Sequence, residues 1–391
     1  LWERACYSMH ITPDPQDADT VWVANVLLQN SIDGGASFTP LAQPHPDNHG
    51  VWINPDDSNI LINVNDGGGA VSLTGGSSWS TLRNQPTAEL YRVTVDDQFP
   101  YRLYGSQQDN TTISVPSRLP ATMASEFEDE FIFGGCESGH IAIDPRDPNV
   151  IYAGCYGGSI TRYDRSTGQT REIIAWPQLQ LAQRRDELKY RYQWNAPIRI
   201  SKHDPSVLYH TSQVVHRSTN EGQSWVEVSP DLTADNPEYQ DYAGGPITRD
   251  GTGVEIYGTI FAFEESPLTP GVLWAGSDDG RLHVSRSNGD SWTEVTPPDF
   301  PEEATVNSID PSAHGAGKAI ITAYRYREAD FTPYIFATED YGTTWRSLAT
   351  GSNGIPANHF VRVVREDPDR EGLLYAGTEF GVYVSFDDGE H

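Results

Sequence analysis

Positive charge is scarce in this sequence. Its 391 residues hold 26 Lys and Arg against 55 Asp and Glu, a net charge of −29. A field of that sign repels phosphate backbones and anionic lipid, which excludes nucleic acid and a basic membrane-surface role. Long apolar runs are missing too: no window approaches the ~18 uninterrupted apolar residues of a membrane-spanning helix, so direct membrane insertion is not expected. Cysteine is rare (Cys6, Cys136 and Cys155), and no Cys-x-x-Cys or Cys/His spacing suggests zinc. Three cysteines cannot form a disulfide framework; they allow one bridge and a spare thiol. No Asp-x-Asp-x-Asp-Gly calcium loop is present, and neither an obligatory metal nor a cofactor is expected. Neither end carries a signal peptide or lipidation motif. Helical patterning is confined to about Leu179 to Tyr190.

What is present is enough apolar sequence, 37% of residues, to bury a sizeable core. Acidity combined with 27 prolines and 10 tryptophans leans toward an extracellular setting: secreted, cell-surface or periplasmic. Internal repeats then organise the chain. A box of the form Ser-x-Asp-x-Gly-x-Ser/Thr-aromatic occurs at Ser31–Phe38 around Asp33, at Ser218–Trp225 around Asn220, and at Thr338–Trp345 around Asp340. Degenerate copies run Ser72–Trp79 and Ser285–Trp292, and a last copy around Asp387 stops at His391. Because natural domains rarely end inside a turn motif, the chain is expected to be a segment of a longer multi-blade or two-propeller protein, cut at both ends. In the box, Asp or Asn hydrogen-bonds the turn backbone, Gly supplies a positive φ, and the ring packs between sheets.

Upstream of each box lies a polar turn, usually Asp-Pro, followed by a short apolar run, as in Asp144-Pro145 before Val150–Gly154 and Asp367-Pro368 before Leu373–Gly377. The unit repeats every 42 to 62 residues or so, the range of four-stranded propeller blades with insertions. The expected fold is therefore an all-β propeller of four-stranded blades, about eight units with the last lacking its fourth strand.

The boxes resemble the Asp-box, or BNR, repeats of sialidases, family 74 xyloglucanases and sortilin-type (VPS10) propellers. The stretches Asn48–Pro55, Tyr101–Asn110 and Gly276–Gly280 are most similar to bacterial secreted proteins of the glycosyl hydrolase-like or sortilin-like kind. The resemblance spans the whole chain. It implies the fold more than an activity, because the box is architectural.

In a propeller blade the loops between second and third strands, and those between one blade's fourth strand and the next blade's first, share one face. The boxes belong to the other, so Asp33, Asn220, Asp340 and Asp387 read as turn formers. The first face collects His49, Asp66, Gln108, Asp109, Asn110, Glu137, Trp194, Asp278, Arg325 and Glu379 as candidate ligand contacts, with two long connections, 176–195 and 231–253, as lids. If the protein is a glycosidase, its carboxylate pair comes from Asp66, Asp109, Glu137, Glu255, Asp279 and Glu379, spaced ~5–9.5 Å apart. No Arg-Ile-Pro tripeptide or arginine triad supports a sialidase. Cys136 and Cys155 map to one face of one blade, as a disulfide or as two buried thiols. The expected function is binding of a carbohydrate or peptide ligand, or of another extracellular protein, on this face. Glycoside hydrolysis and a purely structural role in an extracellular assembly are the alternatives.

Overall fold

The computed structural model describes residues 10–85, 87–118, 130–245 and 249–391. Cys6 lies outside them. The described chain is all-β: its strands pair antiparallel, and the helical segments are isolated 3-10 turns. It divides into two compact units, Leu1–Glu89 and Leu90–His391.

The first unit holds a four-stranded sheet beginning with His10–Pro13 and a three-stranded sheet beginning with Asn48–Ile53. Trp22, Leu28, Val51, Ile53 and Leu61 form its core. The second unit holds six three- or four-stranded sheets, whose first strands are Leu90–Val95, Ile141–Ile143, Ile198–Ile200, Ile260–Glu265, Thr305–Pro311 and Val361–Glu366. Each is a meander, with neighbours in the sheet also neighbours in sequence. Successive first strands pack together or are bridged by side chains, as Arg199 to Glu264 at 2.6 Å. Arg92 on the first of them also reaches Asn307 on the fifth. The six first strands therefore converge on a common axis, a propeller-like arrangement within this unit.

The repeats explain each sheet. Asp144, Asp204 and Asp367 follow first strands and accept the N–H groups of Arg146, Ser206 and Asp369, closing the turn into the second strand. The box forms the turn that follows the third strand. Asp33 accepts the Ser37 N–H at 2.8 Å and the Ser37 hydroxyl at 2.6 Å, while the Ser31 hydroxyl accepts the Gly35 N–H at 2.9 Å. Asn220 and Asp340 likewise accept the N–H groups of Ser224 and Thr344; Asp340 also accepts the Thr344 hydroxyl, whereas the Asn220 amide donates to that of Ser224. Hydrogen bonds from Ser37 and Ser31 hold the Asp33 carboxyl down to about 2.

The box also ties each sheet to the one before it. Trp225, Trp292 and Trp345 donate their indole N–H to the carbonyls of Ile173, Val228 and Val295, each just beyond the last strand of the preceding sheet. Glycine is required there twice over. Gly222 has φ 75°, and a Cβ on it would lie 2.6 Å from the Ile173 side chain.

The helix expected over Leu179–Tyr190 does not form. Only Arg185–Glu187 makes a single 3-10 turn, and Arg184 and Leu188 on either side are extended. Long-range hydrogen bonds override the local pattern. Buried Arg185 donates to the carbonyls of Glu255 and Asp241, and Arg191 to that of Gly258, which pins the segment as an irregular loop.

Candidate functional site

The residues singled out in the sequence fall into separate clusters. In the first unit, His49 lies in a strand at a register shift, with Nε2 2.6 Å from Asp66 Oδ1. In the second unit, Gln108, Asp109 and Asn110 form a tight turn. Asp109 is left-handed, at φ 58°, and its N–H donates to Glu137 Oε2 at 2.7 Å. The neighbouring Cys136 is disulfide-bonded to Cys155, so the Gln108–Asn110 turn, Glu137 and the bridge make one cross-linked corner.

The Trp194 ring, expected to be open to a sugar, has one face covered by Tyr156 at a centroid distance of 4.6 Å. Glu379 pairs with Arg362 at 2.9 Å, and Arg325 lies 3.8 Å from Asp330. Asp278 and Asp279 are loop anchors. Asp278 accepts the N–H groups of Gly258 and Thr259 and the Thr259 hydroxyl. Asp279 accepts the Ala234 and Asp235 N–H groups and the Ser277 hydroxyl. Together they fasten the 231–253 connection and the start of the next sheet.

Of the six candidate carboxylates, Glu255 alone lines a cavity of about 550 Å³ in the second unit. Both long connections build it. Arg185 comes from 176–195, and Glu238, Tyr239, Asp241 and Tyr242 from 231–253. Glu255, Tyr257, Glu303 and Thr305 enter at the starts of two successive first strands, and Tyr324, Arg327 and Glu328 close the far side.

Four tyrosines and five carboxylates thus face two arginines, one of which, Arg185, is occupied by backbone carbonyls. Glu255 is ionised: burial opposes this, but the Thr252 hydroxyl and the N–H groups of Thr252 and Gly253 hold its pKa below the ordinary value. Tyr239 is pushed up by its hydrogen bond to Glu303, and Tyr257 by burial and the nearby Asp278 and Asp279 charges. Both phenols are neutral donors. The cavity offers flat aromatic faces, hydroxyl donors and carboxylate acceptors.

The signal for this site was in the sequence, in Glu238-Tyr239-Gln240-Asp241-Tyr242, where tyrosine alternates with acid in a long connection. Glu303, Tyr324 and Glu328 carried none, since Glu303 sits in a blade-to-blade link, Tyr324 near the end of the strand Ala319–Arg325 and Glu328 in the turn after it.

Beneath the cavity, Asp278 is buried, and burial together with the Asp279 charge raises its pKa to about 7. Between pH 3.8 and about 7 the folded chain holds a proton that the unfolded chain has lost, so this group's contribution to stability falls as pH rises through that window. Asp278→Asn keeps the oxygen that accepts both N–H groups and is always neutral. Its melting temperature at pH 8 is expected to equal or exceed that of the parent, with a flatter profile from pH 4 to 7. A fall of several degrees at pH 8 in a thermal-unfolding series would refute this.

No family model matches the chain, and no curated protein does. Solved structures do. The C-terminal WD40 domain of Sif2 aligns over 97% of this chain and 95% of its own, at 10% identity and TM-score 0.44. YCF48 bound to D1 peptide aligns over 97% and 91%, at 13% identity and TM-score 0.38. The GH74 xyloglucanase from Xanthomonas campestris aligns over 97% and 71%, at 15% identity and TM-score 0.28. At these identities and scores the likenesses say nothing of ligand or activity.

Proposed function

We propose that this chain is part of an extracellular Asp-box β-propeller and that it binds a carbohydrate or peptide ligand in the tyrosine- and carboxylate-lined cavity between its two long connections. The observation that carries the reading is the lining itself. Tyr239, Tyr242, Tyr257 and Tyr324 provide faces for a sugar ring or an aliphatic side chain. Glu238, Asp241, Glu255, Glu303 and Glu328 accept hydroxyl or ammonium protons. A volume near 550 Å³ suits one or two sugar rings or a short peptide segment. The charge balance disfavours anionic sugars.

Binding is favoured over hydrolysis. A glycosidase needs a protonated carboxyl within reach of the glycosidic oxygen. The carboxyls that burial raises are taken up by the backbone: Asp278 is sealed under three hydrogen bonds from Gly258 and Thr259, Asp279 accepts the Ala234 and Asp235 N–H groups, and Asp310 accepts that of Glu366.

The test is a pair of arrays, neutral glycans and short basic peptides, followed by calorimetry on any hit. Tyr239→Ala and Tyr242→Ala are each expected to weaken the hit about tenfold, the usual effect of losing an aromatic contact at a binding site. Silence on both arrays with folded protein, or unchanged affinity in both variants, would overturn the assignment. Release of reducing ends from a glycan hit would move the reading to hydrolysis.

A further inference from the structure

The first strands of the Leu90–His391 unit carry a second, oppositely charged set of side chains. In four of them the pairing with the second strand shifts register: between Leu90 and Val93, Ile260 and Ala262, Val306 and Ser308, and Val361 and Val363. A bulge of this kind re-aims the side chain of the extra residue. Here the skipped residues include Arg92, Phe261, Asn307 and Arg362, and they meet. Arg92 Nη2 donates to Asn307 Oδ1 at 3.3 Å, its guanidinium lies 5.2 Å from the Phe261 centroid, and the Asn307 amide donates to the Arg362 carbonyl. Arg365 lies farther along the last of these strands, and Arg199 lies on another first strand, Ile198–Ile200.

Three of these four arginines have a carboxylate: Arg199 has Glu264 at 2.6 Å, Arg362 has Glu379 at 2.9 Å, and Arg365 has Asp310 at 3.7 Å. Arg92 has none among the described residues, and its Nε is shielded from solvent without a hydrogen-bond partner. Burial holds its pKa down to about 10, and Arg199, Arg365 and Arg362 push the same way.

His140 adds a second orphan. It is 6% exposed, and Arg199 Nη1 lies 2.8 Å from its Nδ1. A guanidinium can only donate, so Nδ1 is the acceptor and the ring proton sits on Nε2. That Nε2 is buried without an acceptor. Burial and the charges of Arg199 and Arg92 keep the ring neutral. Both orphaned groups are donors, beside a cation that lacks a counter-ion. Buried donors without partners are rare in native structures, and an acceptor-only ligand completes this set.

We propose that the axis of this unit is an oxyanion site, in which a compact carboxylate or phosphate group seats on Arg92. It is chemically distinct from the acidic cavity, whose lining repels anions, and does not depend on what that cavity binds.

Thermal shift and calorimetry on the whole chain, with inorganic phosphate and with citrate at an ionic strength fixed with sodium chloride, test it. Saturable binding of at least one probe is expected, and the arm that responds tells phosphate from carboxylate. Arg92→Gln is expected to weaken that binding at least about tenfold, while Arg281→Gln, on a surface pair with Glu294, leaves it unchanged. Should Arg92→Gln fail to fold, Arg92→Lys keeps the charge but loses the fork, and is expected to bind several-fold more weakly than the parent. No saturable response to either probe, or parental affinity in whichever Arg92 variant folds, would overturn the site.

Discussion

Replacing Glu366 with alanine is expected to lower the unfolding free energy by about 3 kcal/mol, the low end of what removing one member of a buried ion pair costs. Glu366 lies at the end of the last first strand. Its carboxylate accepts Lys318 Nζ at 2.7 Å, the Gly372 N–H at 3.1 Å and the Ser312 hydroxyl. Alanine would leave all three donors without their acceptor, and two of them belong to other segments of the last two sheets. Asp388, 3.2 Å from the same ammonium, takes up part of the Lys318 charge, which sets the low end.

The Glu366 carboxyl is held below its ordinary value: burial opposes this, but Lys318 and Ser312 prevail. Its contribution is therefore present above about pH 4.5 and is lost as pH falls through the folded value. The difference between variant and parent should shrink accordingly in acid. Urea unfolding at pH 7 and pH 3 measures both numbers. A loss under 1 kcal/mol at pH 7 would show that the pair is dispensable. The double replacement Glu366→Leu with Lys318→Met should cost less than Glu366→Ala alone, because no charge is left buried.

Opening the Cys136–Cys155 bridge is the second large effect. The cysteines are 19 residues apart in sequence, and closing a loop of that size restricts the unfolded chain by about 3 kcal/mol. For a unit of this size that corresponds to roughly 5 °C in melting temperature. The native state should lose something more specific as well. Glu137, next to Cys136, accepts the Asp109 N–H, and Tyr156, next to Cys155, covers Trp194. Paired Cys136→Ser and Cys155→Ser substitutions, and reduction of the parent, are expected to give the same shift. Trp194 fluorescence should change with it, readable against a Trp194→Phe background. A melting temperature insensitive to reductant would rule out a stabilising bridge.

The sequence told most where the physics is local. The Ser31–Phe38 box needs only its own eight residues: Asp33 satisfies the turn, and Gly35 takes a backbone conformation that side chains avoid. Asp144-Pro145 and Asp367-Pro368 close their turns in the same way. A chain of such punctuation fixes where strands begin and end, which is why the all-β reading could be made from spacing. The tyrosine–acid alternation at Glu238–Tyr242 is equally local, and it lines the cavity where Asp278-Asp279 does not. Two adjacent acids look like chemistry, but the backbone N–H groups of Gly258, Thr259, Ala234 and Asp235 absorb them.

The single helical pattern failed for the complementary reason. Leu179–Tyr190 has suitable local spacing, but Arg185 and Arg191 find carbonyl partners tens of residues away. Those bonds outweigh the small propensity differences that favour helix.

By itself, then, the sequence determined an acidic, repeat-built all-β chain whose box aspartates shape turns, because those features rest on contacts within a few residues. Tertiary structure alone decided which side chains meet. It put Glu255 beside four tyrosines, joined Glu366 to Lys318, and left Arg92 without a carboxylate among the described residues, near three paired arginines. Each of those outcomes depends on groups from different sheets, separated by tens to hundreds of residues. No spacing rule reaches that far, because the desolvation and pairing that give such groups their chemistry exist only once the sheets have packed.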